Sequence, residues 1–378
     1  MSKFRRASLV AVLFVCALGP ARAQETIKVG VVQPLTGSVA DNGLAFVDGA
    51  KLAVASRNAA GGVLGKKIEL VIEDGQCRPA NSVSAAQKLI ERDKVPVLVG
   101  AFCSSATAAV MPITEQRRIP LLTGVSSKAD LTDKGMKYFF RSAETDRVMS
   151  VTFSKILAEK LQLKNVAYIG VNDDWGRGSV EDFVAQMEKL GVKTAMKEYY
   201  EHGTTDYYTL LTKLKASKAD GVFVAAETQD GAILVKQFKE LGLSSKLFGV
   251  GSWTTPEFIK ATGPASEGIY AAVPYASSIP TDANKEFVNR YAAAYKTKPG
   301  KYGAAGFNAL NIVMQGIARA GKAEPEAIRD ALYKTDYAAP NGHYRFTEKG
   351  EGYGYDVVLV QLKGGEPVIV TMSEAGKP

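Results

Sequence analysis

VPVLVGAFCSSAT (residues 95–107) and IPLLTGVSSKADL (residues 119–131) decide how this chain folds. Each is an apolar run of strand length that stops abruptly and hands over a serine pair, Ser104–Ser105 and Ser126–Ser127. At the carboxyl ends of two successive strands, these pairs lie on the edge of an open α/β sheet, beyond which ligands bind. The first pair also opens a helix, whose free N–H groups and dipole favour an anion. Hydroxyls and amides arranged in this way suit a small carboxylate.

Outward from these strands, the chain alternates strand and helix with little interruption. A strand in ETIKVGVVQPLTG leads to a helix over about 40–59, stopped by Gly61–Gly62, then to the strand KKIELVIEDG. NSVSAAQKLIERD carries Val83, Ala86, Leu89 and Ile90 on one helical face, with Asn81 or Ser82 as its cap. Strands over 95–100 and 119–123 complete a first lobe. From near Ser142, the helices MSVTFSKILAEKL and VEDFVAQMEKL flank the strand NVAYIGV, and strands follow at KTAMKEYY, DGVFVAAE and SKLFGVG. Near EGIYAAVPY the chain returns to the first lobe, with helices over about 282–296 and 303–320. Antiparallel strands turning at Lys363-Gly364-Gly365 close it. The alternation predicts an α/β protein with parallel-rich sheets and helices on both faces. Lobe 1 is expected to hold residues 24–142 plus 273–352, and lobe 2 residues 143–272 plus 353–378.

The first residues read as an export signal. MSKFRR is basic, ASLVAVLFVCALG is apolar, and Ala21-Arg22-Ala23 offers small residues for cleavage, so residues 1–23 are expected to leave and the mature chain to begin near Gln24 in the periplasm. The apolar run falls well short of the ~20 residues that span a bilayer. The 378-residue chain carries a formal charge of +8, of which Lys3, Arg5, Arg6 and Arg22 account for four. No dense basic run remains, which argues against nucleic-acid partners. Loss of Cys16 leaves Cys77 and Cys103, an even pair in an oxidising compartment, where a disulfide is expected. Closing that ring of about 27 residues is worth roughly 3.5 kcal/mol in the chain-entropy model.

Catalytic and metal-binding patterns are missing from the sequence. His202 and His343 have no partner at ligand spacing, no G-x-S-x-G elbow occurs, and GGVLGKK lacks the spacing and the Ser/Thr of a phosphate loop. Asp173–Asp174 are adjacent, so their side chains point in different directions. Binding without chemistry is the expectation: no enzyme activity, no cofactor and no metal.

Together, KVGVVQPLTGSVADNGLAFVDGAKLAV, AGGVLGKKIELVIEDGQC, LVGAFCSSAT, IPLLTGVSSKADLT, FFRSAETD and YGAAGFNAL resemble the solute-binding proteins of branched-chain and hydrophobic amino-acid ABC importers. The resemblance covers nearly the whole mature chain. It implies the type I periplasmic binding protein fold: two Rossmann-like lobes joined by a three-strand hinge, closing on a ligand. It also places the family's disulfide on Cys77 and Cys103. The ligand carboxylate is implied to meet Ser104, Val125 (through its backbone) and Ser127, beside Phe102. Trp175 falls where a tyrosine usually closes over the ligand, with a core position as the alternative; its neighbours Asp174, Gly176 and Gly178 read as a loop, which favours the pocket. The acid that holds the ligand ammonium is missing: Gly251 and Ser252 occupy its place. Glu227, ending an adjacent strand, either takes that role or is an ordinary loop acid. The implied function is a monomeric periplasmic receptor for a small carboxylate, foremost an aliphatic or branched-chain amino acid, that docks transiently on inner-membrane ABC permease subunits. Aromatic carboxylates without an amine, or a ligand-sensing role, are the alternatives.

Overall fold

A computed structural model describes residues 25–376. The expected signal peptide, with Cys16 and the cleavage site near Ala23, lies outside the described residues. The first sheet is built by β1 (Thr26–Gln33), α1 (Ala40–Ala59), β2 (Lys67–Asp74), α2 (Pro79–Glu91), β3 (Leu98–Val99), α3 (Ser104–Arg117), β4 (Leu121–Thr123) and β5 (Phe139–Arg141). Its strands run in the order β2-β1-β3-β4-β5, all parallel. The second is built by α4 (Asp146–Leu161), β6 (Asn165–Val171), α5 (Asp174–Lys189), β7 (Lys193–Tyr200), α6 (Tyr208–Ser217), β8 (Gly221–Ala226), α7 (Thr228–Glu240), β9 (Lys246–Gly251), α8 (Pro256–Thr262) and β10 (Tyr270–Val273). Here β7-β6-β8-β9-β10 are parallel. The chain then returns through α9 (Asp282–Tyr295), α10 (Lys301–Ala320) and α11 (Pro325–Leu332), and ends in β11 (Tyr337–Ala339), β12 (Gly342–Phe346), β13 (Gly352–Lys363) and β14 (Glu366–Glu374).

Strands covered on both faces read as continuous apolar runs, and every residue of β8 is buried. Phe223 of that strand stacks on Phe183 of α5 with ring centroids 4.3 Å apart. Helix α10 returns to lie against α1, and the two backbones touch. A Cβ on Gly49 would fall 1.9 Å from the Gly303 carbonyl oxygen, and one on Gly306 equally close to that of Phe46. The small residues of FVDGA and YGAAGFNAL are therefore required by helix packing.

The segment after β5 leads from the first sheet to the second, and β11 to β14 join the second sheet as well. The long β13 pairs antiparallel with β12 at its start and with β10 and β14 further on. The end of β5 is locked to the segment between β12 and β13. Arg141, fully buried, forms an ion pair with Glu351, with Nε donating to Oε1 at 3.0 Å. The same guanidinium donates to the carbonyls of Lys128 and Ala129, so it also holds the loop after β4.

Three local expectations need correction. The strands expected over 95–100 and 119–123 form ladders only at Leu98–Val99 and Leu121–Thr123, because Pro96 and Pro120 lack the N–H a ladder needs. Helix α2 starts at Pro79 with Arg78 before it, not at a cap on Asn81 or Ser82. Proline is preorganised for a first turn, and the Ser82 hydroxyl donates instead to the Gly75 carbonyl at 3.2 Å. Asp174, Gly176 and Gly178, expected in a loop, form the first turns of α5. Among the described residues no helix is long and apolar enough to cross a membrane.

Candidate functional site

A cleft between the two sheets is lined by residues of both, and its unfilled space is ≈ 380 Å³ counted out to the open mouth. From the first sheet come Phe102, Ser104, Val125, Ser126 and Ser127. From the second come Asp173, Trp175, His202 and Glu227, with Lys301 and Tyr302 at the start of α10.

The first wall is the turn from β3 into α3 and the loop after β4. Phe102 sits in the left-handed region at φ 74°, a conformation that surrounding bonds must hold. Its carbonyl accepts from Ser126 Oγ at 2.7 Å, and Thr107 Oγ1 stands 2.7 Å from the same hydroxyl. Ser126 is thus consumed as a brace. Ser104 is free in the opposite sense: it opens α3, is buried, and its Oγ accepts from the Lys128 amide at 3.3 Å, leaving its own proton to give. The backbone N–H groups of this first helical turn have no intrahelical acceptor. The Val125 amide leans on Thr123 Oγ1 at 3.4 Å, so its carbonyl is the group left for a ligand. Ser127 donates its hydroxyl to Asp146 Oδ2 at 2.9 Å. The two cysteines behind this wall are joined, with Cα atoms 5.4 Å apart.

The opposite wall is built at strand ends and helix starts of the second sheet. Asp173 caps α5, accepting from the Gly176 amide at 2.8 Å, which sets Trp175 in the first turn facing the cleft. Gly251 and Ser252 do not line the cleft. A Cβ on Gly251 would lie 3.0 Å from the indole tip of Trp175, and the residue adopts φ 104°, so glycine is required there to seat the ring. Ser252 is fully buried and donates to Glu227.

Glu227 is held through one oxygen. Its Oε2 accepts from Asn42 Nδ2 at 2.8 Å, from the Tyr302 hydroxyl at 2.8 Å, and from Ser252 Oγ. No hydrogen bond reaches Oε1 among the described residues, and the carboxylate lines the cleft. Asn42 comes from α1 of the first sheet and also accepts from Thr228 Oγ1 of α7 at 2.7 Å. It therefore links the two halves across the base of the site. Burial, reinforced by the neighbouring Glu227 charge, keeps the Tyr302 phenol protonated well above its ordinary range.

Sequence reasoning passed over the rest of the charge in this cleft. Lys301, almost fully buried, has its Nζ 3.7 Å from Glu144 and 4.8 Å from the centre of the Tyr302 ring. Burial raises the Glu144 carboxyl, with Lys301 opposing. His202 reaches Asp173 through Nε2 at 2.9 Å and Asp230 through Nδ1 at 3.6 Å. Burial works against its charge, but the bonds to the two aspartates prevail and raise it to about 10, so the imidazolium stands in the cleft wall. Tyr302 and Asn42 lie in YGAAGFNAL and SVADNGLAF, stretches already singled out. His202 offered no local signal, because Asp173 is 29 residues away.

One end of the cleft thus offers the Ser104 hydroxyl and helix amides for a carboxylate, and the other a carboxylate oxygen for an amine, under an indole lid. A model of the periplasmic binding protein family matches residues 26–366. The leucine-, isoleucine-, valine-, threonine- and alanine-binding protein of Pseudomonas aeruginosa is 30% identical over 339 residues, 90% of each chain. The Leu/Ile/Val-binding protein of Escherichia coli K12 is 26% identical over 333 residues, 88% of this chain and 89% of its own. Among solved structures, the branched-chain amino acid transporter substrate-binding protein of Streptococcus pneumoniae with isoleucine superposes with a TM-score of 0.86 at 26% identity. It covers 94% of this chain and 100% of its own. A solute-binding protein of Rhodopseudomonas palustris with 3,4-dihydroxybenzoic acid gives 0.85 at 25% identity, covering 93% and 98%.

Proposed function

The chain belongs to the periplasmic binding protein family, and on that premise we propose that it is the receptor of an ABC importer for an aliphatic or branched-chain amino acid. Like its relatives it is a binding protein of a transporter, not an enzyme. Ser104 and Ser127 take the α-carboxylate, the Val125 carbonyl and Glu227 Oε1 the ammonium, and Trp175 covers the apolar side chain. The observation that carries this reading is Glu227: a nearly buried carboxylate whose one oxygen is triply hydrogen-bonded and whose other is left to the cleft. A dry site with an uncompensated carboxylate is costly, and an ammonium compensates it.

The lobes that close are residues 24–142 plus 273–352 and residues 143–272 plus 353–378, moving about the segments that join them. The mature protein works as a monomer in the periplasm and docks, when closed, on the permease. A thermal-shift screen of L-amino acids and aromatic carboxylates tests the proposal: isoleucine, leucine or valine should raise the melting temperature most. Calorimetry should then show Ser104→Ala and Ser127→Ala losing affinity; unchanged binding in both would remove the site. A second reading, a receptor for aromatic acids lacking an amine, draws on the broad indole of Trp175 and the absence of an acid at Gly251 and Ser252. A shift with benzoates and none with amino acids would favour it.

A further inference from the structure

The hydroxyl of Ser127 has one proton, and in this structure it is already given to Asp146. Asp146 opens α4, is 4% exposed, and its own amide donates to the Ser127 carbonyl at 3.2 Å, so the two residues face each other rigidly. A ligand carboxylate brought to Ser127 would meet the lone pairs of an oxygen whose proton points away. We propose that Asp146 is a positioning residue for the clamp, and that a carboxylate ligand binds Ser127 together with one proton taken up by Asp146. This deepens the carboxylate assignment and rests on it.

The exchange balances. The proton comes from solvent and goes onto Asp146 Oδ2, the protonated carboxyl then donates to Ser127 Oγ, and Ser127 turns its own proton to the ligand. The surroundings favour it. Burial holds the Asp146 carboxyl up to about 7, against the Ser127 hydroxyl that lowers it, and the Glu144 charge adds to the rise. Lys301 of α10 opposes but is closer to Glu144, its 3.7 Å partner. On α5, Ser179 lies against the carboxyl, and Asp182 is paired with Arg147 next along α4. Arg141 is committed to Glu351. Ser179 lowers the carboxyl a little, but among the described residues none of these groups forms an ion pair with Asp146.

The sign follows from the direction of the shift. Bound ligand adds a second anion beside Asp146 and raises it further. Binding is therefore flat with pH below about 7, and above it weakens about tenfold per unit while one proton is taken up per ligand. Calorimetry with L-isoleucine and with 3,4-dihydroxybenzoate at pH 8, in phosphate and in Tris, measures that proton directly. Wild type should take up close to one. Asp146→Asn preserves the shape, and its amide N–H₂ donates permanently to Ser127 Oγ. It should take up none, show a level affinity from pH 6 to 9, and at pH 8 bind no more weakly than wild type. Proton-free binding by wild type would overturn the proposal, since the ligand would then use backbone amides alone. Uptake that persists in Asp146→Asn would also overturn it and point to Glu144. If neither probe binds at all, the carboxylate assignment falls as well; binding without uptake sinks only the coupling.

Discussion

Replacing Glu227 by glutamine separates recognition of an amine from lobe closure. The side chain keeps its size, and the three donors on Oε2 (Asn42, Ser252 and Tyr302) demand that the remaining oxygen stay on their side. The new N–H₂ must therefore face the cleft, where it opposes an ammonium instead of attracting it. At about 4 Å and an effective dielectric near 20, a charge pair is worth roughly 4 kcal/mol. Breaking a buried pair costs about 3–5 kcal/mol. With ~1.4 kcal/mol per decade, Glu227→Gln should weaken L-isoleucine by about 10²–10³-fold. Its deaminated counterpart, 3-methylpentanoate, should change by less than about threefold. Isothermal titration calorimetry with both compounds on wild type and variant decides it. Asn42→Ala is the control: it removes the link between α1 and the Glu227 corner and should weaken both compounds alike. Equal losses for both compounds in Glu227→Gln would refute the reasoning and reassign Glu227 to closure.

Trp175→Ala removes the indole that lies over Gly251 and the cleft, and should lower isoleucine affinity by about 2 kcal/mol, near 30-fold. Trp175→Tyr, which keeps an aromatic lid, should lose far less in the same titration. Glu351→Gln leaves Arg141 buried without its anion, and urea unfolding should show a loss of about 3–5 kcal/mol. Because the Arg141 guanidinium also holds the Lys128 and Ala129 carbonyls, affinity should fall with stability. Opening the Cys77–Cys103 ring by a double alanine substitution should cost roughly 3.5 kcal/mol, read from the denaturant midpoint.

The fold was legible because its signals are short-range. The apolar runs of β6, β8 and β9, the glycine stop after α1 and the hairpin at Lys363-Gly364-Gly365 each lie within one element or turn. Sequence alone also brought out the pairs Ser104–Ser105 and Ser126–Ser127, since a serine pair after a buried strand has a defined place in an open sheet; the family resemblance singled out Ser104 and Ser127 within them. It erred where one residue overrules a pattern, as Pro79, Pro96 and Pro120 do. Tertiary structure alone decided the rest. Ser126 and Ser127 are adjacent and chemically identical, yet one braces Phe102 and Thr107 while the other faces Asp146. Glu227 depends on Asn42, 185 residues away. Long-range partners leave no periodicity to read: which proton a hydroxyl can still give, and which oxygen a carboxylate keeps free, depend on atoms that only the folded chain brings together.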